Sequence, residues 1–177
     1  MKVVLHICCG VCAAGAADVL LTEGHQVIGY FHNPNIHPGQ EYRLRLEAAQ
    51  RTADKLKFEL AAGPYDFEDW NKATAGMGDE PEGGPRCSVC YRLRLEKTFG
   101  FMRERGADAF TSTLTISPHK QAAEINRIGK EIAGERFMAR DFKKKDGFKR
   151  SMEMAMSWGL YRQNYCGCIY SLRDTRK

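Results

Sequence analysis

The sequence predicts an α/β domain, a parallel sheet with helices on both faces and its site at the carboxyl ends of the strands. Three observations lead there. Short apolar runs alternate with longer stretches of helical periodicity, Gly, Pro and Asn gather between them, and cysteines fall where runs end.

Residues 2–8 form a β-branched apolar run that stops at Cys8-Cys9-Gly10-Val11-Cys12, and residues 13–23 read as a small-residue helix ended by Gly24. Residues 26–32 form a second strand, and Asn33-Pro34-Asn35-Ile36-His37-Pro38-Gly39 is a loop by its turn chemistry. A long helix over 41–57 follows, because Leu44, Ala48, Ala49, Ala53 and Leu56 recur on one face. Residues 58–61 give a third strand. Residues 63–85, rich in Gly, Pro, Asp and Glu, predict an exposed insertion with one short helix near 66–74, a candidate lid. Helix 87–105, strand 108–114 and a helix from Pro118 to Gly134 come next, with proline suited to the first turn. Residues 137–141 predict a fifth strand. The basic stretch 143–150 leads into a Met-rich helix ending near Trp158, whose Met152, Met154 and Met156 are expected in the core or beneath the site.

One domain is expected over 1–177. A chain of this size can bury a core without disulfide staples, so its seven cysteines need another explanation. The first twenty residues superficially resemble a signal peptide. His6, three cysteines and Asp18 break that pattern, no run is long enough to span a membrane, and the expected location is cytoplasmic. With 27 basic and 22 acidic residues, the net charge of +5 is compatible with an RNA partner without proving one.

All seven thiols lie in three windows: Cys8, Cys9 and Cys12; Cys87 and Cys90; Cys166 and Cys168. Two residues between thiolates put both sulfurs on one side of a turn, the spacing of iron–sulfur and zinc ligands. One tetrahedral zinc or one 4Fe-4S cluster takes four ligands and leaves three thiols over. Seven divides into four plus three, and a three-thiolate site, or one completed by Asp141, keeps an open coordination position. A closed zinc site with spare cysteines and a thioredoxin-like dithiol are the rival readings.

The segments LHICCGVC, FHNPNIHPGQEYRLRLEAAQ, CSVCYRLRLEKT, FTSTLTISPHK, DFKKKDGFKRS and GLYRQNYCGCIYS, spread over residues 3–171, resemble the cobalamin-independent epoxyqueuosine reductases, the QueH family. The resemblance implies a Rossmann-like fold related to the PP-loop adenine nucleotide alpha-hydrolases. It also implies reduction of the epoxide of epoxyqueuosine at the wobble position of tRNAs for Tyr, His, Asn and Asp. The implied cofactors are a 4Fe-4S cluster and a second mononuclear iron, or another metal in its place. Some relatives carry an acid where Cys12 stands, so the second site here is expected to be all sulfur. The SGG-x-D-S phosphate loop of PP-loop enzymes is missing around Cys9-Gly10, which predicts no ATP requirement. An external electron donor, a ferredoxin or a reductase, is implied.

With that substrate in view, Cys9, Cys87, Cys90 and one of the terminal pair are assigned to the cluster, and Cys8, Cys12 and the other terminal thiol to the iron. His119 and Asp141, at strand ends, are candidate catalytic groups, and Lys120 a substrate contact. Arg43, Arg45, Arg92, Lys143, Lys144, Lys149 and Arg150 are candidate phosphate contacts, with Tyr42, Tyr91, Tyr161 and Tyr165 available for base stacking. The rival functions are a zinc-stabilised RNA-binding module and a cluster-bearing tRNA thiolation enzyme.

Overall fold

The computed structural model of the chain describes residues 1–174, and side chains through 172. In chain order it runs β1 (Lys2–His6), α1 (Gly10–Thr22), β2 (Gln26–Phe31), α2 (Gly39–Leu56), β3 (Glu59–Ala62) and α3 (Phe67–Ala73). Then come α4 (Pro85–Glu104), β4 (Ala109–Ser112), a 3-10 turn at Thr113–Ile116, α5 (Ala122–Ala133), a second 3-10 turn at Gly134–Arg136, α6 (Gly147–Ser157) and α7 (Ile169–Asp174).

The four strands pair in parallel in the order β3-β2-β1-β4. β1 is central, and its Val3, Val4 and Leu5 are all fully buried, as a strand covered on both faces requires. Val3 and Leu5 pack with α1, α2 and α6 residues such as Ala13, Ala49 and Ala155. Val4 points the other way, joining Ile28 and Phe110 against Leu95 of α4 and Ile125 of α5. The chain leaves β1 toward β2 on one side and returns at β4 on the other, so a crevice opens between the carboxyl ends of β1 and β4.

The expected fifth strand is reduced to one parallel bridge between Phe110 and Phe137, followed by a hydrogen bond from the Met138 amide to the Phe110 carbonyl, 2.8 Å. Asn126 of α5 ends it. Its side-chain amide donates to the Arg140 carbonyl at 3.0 Å and accepts from the Arg140 N–H at 3.3 Å, taking both groups a strand ladder would have used. The helix expected from Pro118 begins only at Ala122, because the Ser112 hydroxyl accepts from the Leu114 amide and caps the intervening 3-10 turn. Met152 and Met154 are half-buried as expected, but Met156 is exposed on the outer face of α6.

The stretch 63–85 is largely exposed, yet it is pinned at two points. Trp70 is buried, and so is Arg86, whose Nη1 donates to the carbonyls of Met77 at 2.8 Å and Glu80 at 2.6 Å. Among the described residues, no helix is long and apolar enough to cross a membrane.

Candidate metal centre

β1 ends at His6, and the next residues carry the first three thiols into the crevice. The buried His6 ring is fixed between the Ser112 hydroxyl, 2.9 Å from Nδ1, and the His32 carbonyl, 3.1 Å from Nε2. Cys9 is the N-cap of α1, its Sγ accepting from the Cys12 amide at 3.4 Å where an oxygen side chain is usual. Gly10 is required there because a Cβ would lie 2.4 Å from the Ala48 carbonyl oxygen of α2. That close approach seats α1, and with it Cys9 and Cys12, deep beneath the crevice.

The Sγ atoms of Cys8, Cys9 and Cys12 lie within 4.8 Å of one another. Hydrogen bonds from Cys12 and Cys9, aided by the Arg94 charge and the Thr113 hydroxyl, hold the Cys8 thiol well below the usual range against the opposing effect of burial. The Thr113 hydroxyl lies 3.2 Å from that sulfur. A hydrogen bond from Cys12 draws the Cys9 thiol down, but its own bond to Cys8 and burial outweigh it and push it up to about 12. Hydrogen bonds to Cys8 and Cys9, with burial, raise Cys12 as well. Three crowded thiols can exchange their protons for a cation, which would relieve the crowding of charge that raises Cys9 and Cys12.

The C-terminal thiols are brought in by α2. Arg45 and Glu41, both buried, form an ion pair of 2.7 Å. Arg45 also donates to the carbonyls of Cys166 at 2.9 Å and Tyr165 at 3.0 Å, while Tyr161 donates to the second Glu41 oxygen at 2.5 Å. The His37 amide bonds the Gly167 carbonyl at 2.7 Å, and the Tyr165 hydroxyl bonds the His37 carbonyl at 2.5 Å. Gly167 has φ 121, outside the range L side chains favour, and this turn lets Cys166 and Cys168 face different surroundings. Cys168 packs with Cys90 and Trp70, whereas Cys166 faces a cavity.

That cavity, about 490 Å³, is lined by Cys8, Cys12 and Cys166 with Arg94, His119 and Lys120 among others. Burial lowers the Lys120 pKa, but nearby Cys166 and Cys8 charge outweighs it, so the ammonium is stabilised. His119 lies at the exposed rim. Arg94 is buried, with Nη2 donating to Asn33 Oδ1 at 2.5 Å, and Asn33 in turn donates to the Ile7 carbonyl at 2.9 Å. Gln163 donates to Cys9 Sγ at 3.0 Å. Sequence reasoning missed Arg94, Asn33 and Gln163 as site residues. An arginine on the inner face of a helix that begins with C-x-x-C was the available signal.

Other expected residues lie apart. Asp141 does not line the cavity; its Oδ1 accepts from the Lys143 amide at 3.2 Å and caps a local turn. Arg92 pairs with Glu131 at 2.5 Å on the α4–α5 surface, and Arg150 pairs with Asp18 at 2.8 Å. Arg43, Lys144 and Lys149 are exposed outside the cavity. Lys143 is tied to the site indirectly, its Nζ donating to the Lys120 carbonyl at 2.8 Å. Tyr42 and Tyr91 are buried in the core, and the Tyr161 and Tyr165 hydroxyls are already engaged.

The donor set fits a thiophilic metal. All seven cysteines are free thiols, three of them already mutually close, and among the described residues no cluster of carboxylates competes with them for a metal. Fold and site together define a class: a doubly wound α/β domain with a cysteine cluster that could hold a metal beside its switch point. The same fold occurs in solved structures. The U34-tRNA thiolase NcsA of Methanococcus maripaludis, solved with its [4Fe-4S] cluster, matches with a TM-score of 0.59 and 17% identity over 97% of this chain and 61% of its own. A predicted tRNA methyltransferase subunit of Methanocaldococcus jannaschii matches at TM-score 0.57 and 16% identity, covering 86% of this chain and 77% of that one. These likenesses establish the fold.

The chain belongs to the epoxyqueuosine reductase QueH family, whose model matches residues 3–174. Epoxyqueuosine reductase QueH of Histophilus somni is 38% identical over 180 residues, 99% of this chain and 74% of the relative. The QueH of Thermotoga maritima is 36% identical over 99% of this chain and 92% of its own length.

Proposed function

We propose that this chain reduces epoxyqueuosine to queuosine at the tRNA wobble position, in tRNAs for Tyr, His, Asn and Asp. Family membership supports the reaction, and one observation carries the site: cysteines from both ends of the chain, Cys8, Cys12 and Cys166, line one cavity with Lys120 and His119. These three thiols would hold a mononuclear iron at the cavity. The four that do not line it, Cys9, Cys87, Cys90 and Cys168, would hold a 4Fe-4S cluster. When bound, these centres supply one-electron transfer and a Lewis acid for the epoxide oxygen.

Overall, the epoxide takes up two electrons and two protons, two C–O bonds break, an alkene forms and water leaves. Lys120 offsets the negative charge of the thiolates and stands within the cavity to hold the departing oxygen by hydrogen bonding. His119, at the rim, is placed to pass protons from solvent. Asp141 acts on this site by bracing the turn that carries Lys143, whose ammonium bonds the Lys120 carbonyl. Lys143, Lys144 and Lys149, with Arg43, would contact tRNA phosphates, and Arg92 and Arg150 would do so by leaving their surface pairs. Electrons would come from a ferredoxin or a reductase, without ATP, in the cytoplasm.

The test is anaerobic reconstitution with iron and sulfide, then a chemical reductant and epoxyqueuosine-containing tRNA, with nucleoside mass spectrometry. Loss of one oxygen without added ATP supports the reading; a colourless zinc protein that binds tRNA without converting it overturns it.

A further inference from the structure

Trp70 is the one large aromatic that the exposed stretch 63–85 sends fully inward. It is 1% exposed, and its partners in a small apolar cluster are Cys90 and Cys168, with Phe67 and Tyr170 at the margin. Its ring lies 6.1 Å from that of Phe67 and 6.0 Å from that of Tyr170. The indole Nε1 is buried without a hydrogen-bond partner of regular geometry among the described residues. Leaving an N–H so placed is costly, and phenylalanine would fill the same space without that cost. The acceptor packed in the same buried cluster is the Cys90 sulfur. A metal-bound thiolate is a stronger acceptor than a thiol, so cluster binding is the event that satisfies Nε1.

We propose that Trp70 is a positioning residue for the cluster, its indole N–H donating to the Cys90 thiolate while its ring keeps water from the Cys90–Cys168 side. This rests on the cluster assignment above. It gives the Trp70 part of the 63–85 segment a role as a wall on the cluster, apart from the substrate cavity, which Trp70 does not line and Glu82 of the same segment does. Hydrogen bonds to cluster sulfurs favour the more negative, reduced state. Removing this one lowers the reduction potential.

Trp70→Phe keeps the aromatic packing and deletes the N–H. With iron content equal to wild type, the reduced fraction at a fixed ambient potential is expected to fall about three- to tenfold. The same potential in a fully loaded Trp70→Phe protein overturns the proposal. Should that variant fail to load, a protein that keeps Trp70 decides: in a Trp158→Phe background with 15N-labelled indole, pulsed EPR of the reduced cluster should show coupling to the Trp70 nitrogen, and its absence overturns the proposal. Both readouts are made without tRNA, so a correctly loaded protein that did not reduce epoxyqueuosine would still report on Trp70.

Discussion

Arg45 ties the end of the chain to its beginning. Three groups converge on one buried guanidinium: the Glu41 carboxylate and the carbonyls of Tyr165 and Cys166. Arg45→Ala strands the Glu41 charge and frees the loop carrying Cys166 and Cys168. Breaking a buried pair of this kind costs about 3–5 kcal/mol, to be read as a lower denaturation midpoint, and iron loading should fall with it. His32 supplies a pH signature. Burial, with Arg94 and Lys97, lowers its pKa from 6.5 to about 4. The unfolded chain therefore takes up a proton below pH 6.5 that the folded chain refuses until near pH 4. Its contribution is whole above pH 6.5 and is lost progressively toward pH 4, at about 1.4 kcal/mol per pH unit at most. A His32→Gln protein should show a shallower loss of stability between pH 6.5 and 4.5 in urea titrations; an unchanged slope would remove His32 from the account. Neither residue announces this in sequence. Arg45 reads in sequence as a phosphate contact, yet it is buried, because the carbonyls of Tyr165 and Cys166 that engage it lie more than a hundred positions away.

At the scale of elements, α1 is set by a glycine and capped by a thiol. Gly10→Ala would press a methyl against the Ala48 carbonyl, which as helix backbone cannot yield, so α1 must shift from α2. About 1–3 kcal/mol of stability should be lost, and iron bound through Cys9 and Cys12 should fall, as measured by denaturation and metal analysis. The strands and helices built on local periodicity were legible, including β1, α2 and α4. What escaped was non-local. Residues 137–141 have the composition of a strand, but the Asn126 amide captures the backbone of Arg140 and stops pairing after one bridge. Pro118 looked like a helix start, while the Ser112 cap diverted the chain into a 3-10 turn that brings His119 and Lys120 to the cavity.

For the whole molecule, the doubly wound sheet brings Cys8, Cys12 and Cys166 to one cavity, while Cys168 packs with Cys90 of helix α4. Cysteine spacing marked the candidate site in sequence, whereas the cavity residues Arg94 and Gln163 depended on the fold. Exposed Lys144 and Lys149 extend the basic surface beside α6, so tRNA affinity should fall steeply with salt. Replacing both with Ala should reduce the slope of log K against log salt by about one per residue, in filter-binding or anisotropy titrations. The central claim is that the gathered sulfurs hold more than one metal. Mössbauer spectroscopy of the anaerobically reconstituted protein tests it most directly. The account predicts a 4Fe-4S spectrum plus a separate single-iron component, about five irons per chain, with Cys166→Ser losing the single iron and keeping the cluster. One iron environment alone, or a protein satisfied by a single zinc, would contradict it.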